Sequence, residues 1–157
     1  MILILDNIRS NHNVGSLFRT ADAAGVERLY LCGYTPGPVD RFGRENSALA
    51  KVALGAEQRL SWEHSQDIEM LLDNVRASGY TIYGLEQDAR AVSLFDRSVC
   101  ARNIEKIALI VGNEVDGIAE GALARCDVIV EIPMHGTKES LNVSVACGIA
   151  AYTLINT

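Results

Sequence analysis

The sequence predicts one α/β domain in which a mostly parallel sheet carries helices on both faces. Apolar runs rich in β-branched residues recur at residues 2–5 ("ILIL"), 28–33 ("RLYLCG"), 80–86 ("YTIYGLE"), 106–112 ("KIALIVG") and 127–133 ("DVIVEIP"). The segments between them have helical spacing, and that alternation builds parallel sheets buried on both sides. With 157 residues, 48% of them hydrophobic, the chain can close one sizeable core and is too short for two comfortable ones. A single domain over residues 1–157 is the expectation.

Each element can be read in turn. After the first strand, Val14, Leu17, Phe18, Ala21 and Ala24 form a stripe at i, i+3, i+4, i+7 and i+10. Asn13 can cap that helix, Gly25 can end it, and Arg19 lies beside the stripe. Gly15 would leave room in its first turn for a ligand. Further helices are expected over about residues 43–54, 66–78, 117–125 and 141–155, with Gly79 closing the second of them. "QRLSW" (58–62) reads as an additional short strand.

Composition narrows the function. The formal net charge of −6 argues against a general polyanion-binding surface. The charge is uneven, however. Residues 1–59 hold seven Lys/Arg against six Asp/Glu, a net of +1, and residues 60–157 hold seven against fourteen, a net of −7. Any phosphate contact should therefore draw on the first third, where Arg41, Arg44, Lys51 and Arg59 otherwise read as solvated surface. No apolar run approaches the ~20 residues of a membrane span, and "MILILDN" lacks the flanks of a secretory signal. A cytoplasmic location is expected. Cys32, Cys100, Cys126 and Cys147 are scattered without a Cys-x-x-Cys pair, which suits buried reduced thiols better than zinc or disulfides.

Ligands of open parallel sheets sit beyond the carboxyl ends of the strands. Three polar loops fall there: "DNIRSNHN", "GNEVDG" and "MHGTKES". None carries a Gly-x-Gly-x-x-Gly or P-loop pattern. Taken singly, Asn13 reads as a helix cap, Arg19 as a surface side chain and Glu114 as a capping carboxylate. A guanidinium at Arg19 can also bind phosphate or hold a hydroxyl. The third loop stands out more. Ser140 and Asn142 open a helix, "VSVACGIAA", with little side-chain bulk, a composition that suits close approach of another backbone. Free N–H groups at such a helix start point toward a ligand.

Together the segments "NVGSLFRTA", "IVGNEVDGI" and "IPMHGTKESLNVSVACGIAAY", with "KVALGAE" between the first two, resemble the three motifs of the SpoU (TrmH-like) branch of the SPOUT methyltransferases. The resemblance covers nearly the whole chain in the right order. It implies a SPOUT fold with a C-terminal trefoil knot, an exception to the rule against threaded chains. It also implies a homodimer and transfer of a methyl group from S-adenosylmethionine to a ribose 2′-hydroxyl of tRNA or rRNA. On this reading Leu85, Glu86, Gly112, Asn113, Glu114, Ile132, Met134, Ser140 and Leu141 hold the cofactor, with the apolar Ile132, Met134 and Leu141 beside its adenine. Arg19 matches the family's catalytic arginine, and Asn13, Glu114, Ser140 and Asn142 match its supporting polar residues. No metal is implied.

A guanidinium has a pKa above ~12 and offers no acceptor, so Arg19 is expected to orient the ribose and its phosphate rather than take the proton. The expected single domain carries no separate RNA-binding extension, which favours a tRNA stem-loop over a large rRNA surface. Tyr34, Arg41, Phe42 and Arg44 form a candidate RNA contact in the loop after the second strand. His12 and His135 match no catalytic position and remain RNA contacts at most. Three rivals share parts of the pattern: a SPOUT base methyltransferase, a non-catalytic RNA-binding dimer, and a flavodoxin-like module.

Overall fold

The computed structural model describes residues 1–96, 99 and 105–156. Its strands are β1 (Ile2–Asp6), β2 (Arg28–Cys32), β3 (Ser61–Ser65), β4 (Thr81–Leu85), β5 (Val92–Ser93), β6 (Ile107–Val111) and β7 (Val128–Glu131). They form one seven-stranded sheet in the order β3-β2-β1-β6-β4-β7-β5, and every pairing is parallel. Helices α1 (Asn11–Ala24), α2 (Ser47–Ala53), α3 (Ala56–Arg59), α4 (Ile68–Ala77), α5 (Glu120–Leu123) and α6 (Val143–Ile155) cover it.

The central strands are unbroken apolar runs because both of their faces are covered. Side chains alternate across the sheet. Leu3, Leu5, Leu109 and Val111 point to one face, where they meet Val14, Leu17, Phe18 and Ala21 of α1, Leu49 and Ala53 of α2, and Cys147, Ala150 and Ala151 of α6. Ile2, Ile4, Ala108 and Ile110 point to the other, against Leu72 and Val75 of α4 and Ala122 of α5. Each large side chain fully removed from water contributes about 1.5–3 kcal/mol.

Several local expectations change. Helix α1 starts at Asn11 and its cap is Ser10, whose Oγ accepts from the Asn13 N–H at 3.2 Å, so Asn13 is not the cap. Its side chain is thereby free for another task. Gly15 faces α2 rather than a ligand: a Cβ there would lie 2.7 Å from the Leu49 carbonyl oxygen. Gly25 does end α1, in the left-handed region with φ 71°.

The helix expected from residue 43 begins only at Ser47, because Asp40 draws residues 40–44 into a turn and Asn46 caps α2. The strand expected at 58–62 starts at Ser61, after the single turn α3. Two-residue β5 is too short to have left a pattern. Helix α6 packs through Cys147, Ala150 and Ala151, whereas Gly148 has room for a methyl, its nearest neighbour being Thr20 Cγ2 at 3.4 Å.

Burial pushes the thiols of Cys32, Cys126 and Cys147 up to about 12, which keeps them protonated at neutral pH. Cys100 lies outside the described residues. Among the described residues no helix is long and apolar enough to cross a membrane, and no group of His, Cys, Asp and Glu is placed to hold a metal ion.

Candidate functional site

The carboxyl ends of β4, β6 and β7 open into one cavity of about 560 Å³. Leu85 and Glu86 enter it from the end of β4, and Gly112, Asn113 and Glu114 from the loop after β6. Ile132 and Met134 follow β7, while Ser140, Leu141 and Asn142 arrive just before α6. The walls are therefore supplied by loops that are far apart in sequence and held together by the sheet.

Asn113 organises the loop after β6. It is 6% exposed, and all its hydrogen-bonding capacity is used. Its Oδ1 accepts from the N–H groups of Val115 (2.7 Å) and Asp116 (3.2 Å), while its Nδ2 donates to the Asn7 carbonyl (2.9 Å) and the Tyr34 hydroxyl (2.6 Å). Backbone bonds of 3.0 Å in both directions tie it to Gly117. Gly112 has no alternative here, since a Cβ would run into the backbone of Gly117 and Ile118.

Two carboxylates hold the far side of the same loop. Glu86 accepts from the Ile118 N–H at 2.8 Å, and Asp6 accepts from the next N–H, that of Ala119, at 2.8 Å. Asp6 is 1% exposed, and burial raises its pKa against the opposing pull of the Ala119 and Asn7 hydrogen bonds.

Three of the five polar residues singled out from the sequence, Asn13, Glu114 and Asn142, form a chain. The Asn13 Nδ2 donates to Glu114 Oε1 at 2.5 Å, and Asn13 Oδ1 accepts from Asn142 Nδ2 at 3.1 Å. Asn142 caps α6, its Oδ1 accepting from the N–H (2.9 Å) and the hydroxyl (2.7 Å) of Ser144. The assignment is consistent throughout, because a carboxylate can only accept and so fixes which way Asn13 faces. Ser140 stands on the cavity wall, and among the described residues its hydroxyl has no protein partner. Arg19 is exposed, does not line the cavity of its own chain, and makes no ion pair among the described residues.

Further wall residues escaped the sequence reading. Gln87 donates to the Glu139 carbonyl at 2.6 Å and so joins the β4 end to the loop before α6. Glu131 and Glu139 add carboxylates to those of Glu86 and Glu114, and among the described residues no Lys or Arg lines the cavity. No sequence period marks Glu139, whereas Gln87 could have been suspected from its position beside Glu86. An apolar patch of Leu85, Ile132, Met134 and Leu141 within an acidic rim suits a ligand with a flat ring and a positive charge.

Tyr34 is committed to Asn113, and Arg9 lies over its ring at 5.7 Å, so it is part of the loop framework. Phe42, between Arg41 and Arg44, stands in water. His12 and His135 are exposed, and neither lines the cavity.

Comparison with known proteins adds independent findings. The chain is 34% identical over 155 residues to the 23S rRNA (guanosine-2'-O-)-methyltransferase RlmB of Xanthomonas axonopodis pv. citri, covering 99% of this chain and 58% of that protein. It thus spans little more than half the length of that relative. The solved structure of the A. aeolicus TrmH/SpoU tRNA modifying enzyme matches 98% of this chain and 73% of its own, with 28% identity and a TM-score of 0.81. That of the SpoU methyltransferase AviRb from Streptomyces viridochromogenes, in complex with the cofactor AdoMet, matches 99% of this chain and 59% of its own, with 25% identity and a TM-score of 0.81. The model of the SpoU rRNA Methylase family matches residues 1–152, and with the parallel sheet and the three converging loops already in place, the chain belongs to that family.

Proposed function

We propose that this protein transfers a methyl group from S-adenosylmethionine to a ribose 2′-hydroxyl of RNA. The observation that carries the reading is the chain Asn142–Asn13–Glu114, which joins all three motif segments at the mouth of the cavity. A volume of about 560 Å³ with an apolar patch and an acidic rim fits the adenine and the positive charges of that cofactor. When bound, S-adenosylmethionine supplies an electrophilic methyl group on a sulfonium. Leu85, Ile132, Met134 and Leu141 would flank its ring, and the main chain of Gly112 to Glu114 with Ser140 would hold its polar parts.

Arg19 binds and orients the acceptor. A guanidinium has no acceptor atom, so the proton of the 2′-hydroxyl leaves to a phosphate oxygen or water while Arg19 fixes the ribose and its neighbouring phosphate. Asn13, Glu114 and Asn142 keep that geometry. Because Arg19 does not line the cavity of its own chain, a homodimer is part of the reading, with Arg19 serving the cavity of the second copy. The exposed apolar stripe Leu141, Val145, Tyr152 and Ile155 on and beside α6 supports such a contact. The trefoil knot implied by the family is also part of it.

The expected preference for tRNA is kept beside rRNA as substrate, since the curated relative is named for 23S rRNA and a solved one for tRNA. A cytoplasmic location belongs to the same reading, since it is where tRNA and rRNA would be met. The test is incubation with labelled S-adenosylmethionine and unmodified tRNA and rRNA pools, then nuclease digestion and mass spectrometry of nucleosides. A 2′-O-methyl nucleoside that requires the intact protein supports the reading and names the RNA class. A ring-methylated base overturns it in favour of another SPOUT branch.

A further inference from the structure

The hairpin after β2 is built around a side chain that the fold itself does not use. Phe42 is 67% exposed, yet the turn carrying it is tightly fixed. Asp40 Oδ1 accepts from the N–H groups of Phe42 (2.8 Å) and Arg44 (3.0 Å), Asp40 Oδ2 pairs with the Arg44 guanidinium at 2.7 Å, and Val39 bridges to Glu45. The base of the hairpin is anchored as well. Asn46 donates to the Gly37 carbonyl at 3.1 Å and to Asn11 Oδ1 at 2.7 Å, and Asn11 opens the helix that carries Asn13. A rigid strut therefore presents an aromatic ring in water at a set distance from the polar chain of the site.

The guanidinium groups of Arg41 and Arg44 lie 4.8 and 5.2 Å from the centre of the Phe42 ring. They are not equivalent. Arg44 is held by Asp40, whereas Arg41 makes no ion pair among the described residues and is free to leave the ring. The hairpin also lies in the only third of the chain without an acidic excess.

We infer that this hairpin grips a single-stranded segment of the RNA, one unpaired base stacking on Phe42 while Arg41 swings onto the adjoining phosphate. The inference rests on the RNA substrate proposed above and names the form it takes there. A duplex keeps its bases stacked on one another and offers Phe42 no face, whereas unpaired bases stack readily on an aromatic ring flanked by guanidinium groups.

The experiment is fluorescence anisotropy of the full chain with a labelled oligouridylate and with a blunt RNA duplex of equal length. Sedimentation and calorimetric binding of S-adenosylmethionine are followed in parallel. Wild type should prefer the single strand. Phe42→Ala should weaken that binding by roughly 5- to 100-fold and Phe42→Trp should keep it, as stacking on any aromatic allows. Arg41→Ala should flatten the salt dependence by about 0.7 in slope, the share of one phosphate. Wild-type affinity in Phe42→Ala, or no preference for the single strand, would overturn the inference, as would a change of sedimentation in Phe42→Ala that assigns the ring to a protein contact. Absence of S-adenosylmethionine binding with these RNA effects intact would sink the methyl-transfer reading and leave the hairpin's role standing.

Discussion

Asn13 and Glu114, 101 residues apart in sequence, meet through a 2.5 Å hydrogen bond from the Asn13 amide to the Glu114 carboxylate. The bond spans the start of α1 and the loop after β6, the two pieces that must keep a fixed distance if acceptor and methyl donor are to meet. Asn13→Ala and Glu114→Ala should each lower methyl transfer on the order of a hundredfold, the penalty of ångström-scale misplacement. In thermal unfolding their double-mutant cycle should show a coupling of about 1 kcal/mol, and additive losses would mean that the pair is incidental. Glu114→Gln can still accept from Asn13, so it should retain most of the stability and reveal what the charge contributes.

Arg19→Ala should abolish transfer while leaving calorimetric binding of S-adenosylmethionine unchanged, because Arg19 is assigned to the ribose and its phosphate and not to the cofactor. Mixing Arg19→Ala with Asn142→Ala chains tests the arrangement directly. Recovery of about a quarter of wild-type activity after subunit exchange is expected if Arg19 serves the second copy. Absence of any recovery, with mixed dimers demonstrated, would place Arg19 in its own subunit's reaction.

Gly112→Ala should destabilise the protein by about 2 kcal/mol or more and weaken cofactor binding, since the added methyl meets backbone that cannot turn aside. Gly136→Ala is the control: nothing stands within 4 Å of the methyl it would add, so a change within about 0.5 kcal/mol is expected. Equal melting temperatures for the two variants would show that the loop after β6 can shift to admit the methyl.

Asp6 gives a pH dependence of definite sign. Burial raises its carboxyl above the usual 3.8, so the folded chain binds that proton more tightly than the unfolded one. Its contribution to stability is fully present below 3.8 and is lost as pH rises through the raised value. Asp6→Asn does not titrate. The melting-temperature difference between wild type and Asp6→Asn should therefore move in favour of the variant as pH rises from about 3.5 to about 6. Movement the other way would mean that the donors Ala119 and Asn7 outweigh burial.

The sheet was legible because burial on both faces leaves unbroken apolar runs: β1 and β6 are buried at every position. The site was legible in its polar anchors, which three separated segments carry in a recognisable order. Their geometry was not. Ser10 and Asn13 are both good capping residues three positions apart, and only the observed helix start decides between them. The 39–45 hairpin reads in the sequence as a plain loop running into a helix from about residue 43, because the bonds of Asp40 leave no periodic trace. Glu131, at the end of β7, and Glu139, in the loop before α6, reach the cavity only through tertiary folding, which no local spacing records.

The strand order has a consequence for how the chain comes into being. Strand β1 is complete by Asp6 and gains β2 soon afterwards, but its other neighbour is β6, with Ile2 opposite Ala108 and Leu5 opposite Val111. Pairings of such separation are slow to close, since a long loop must be ordered before any bond rewards it. On the ribosome the N-terminal strands must therefore persist with an open edge until the chain beyond Val111 has emerged, a period in which their unpaired backbone is exposed to other chains.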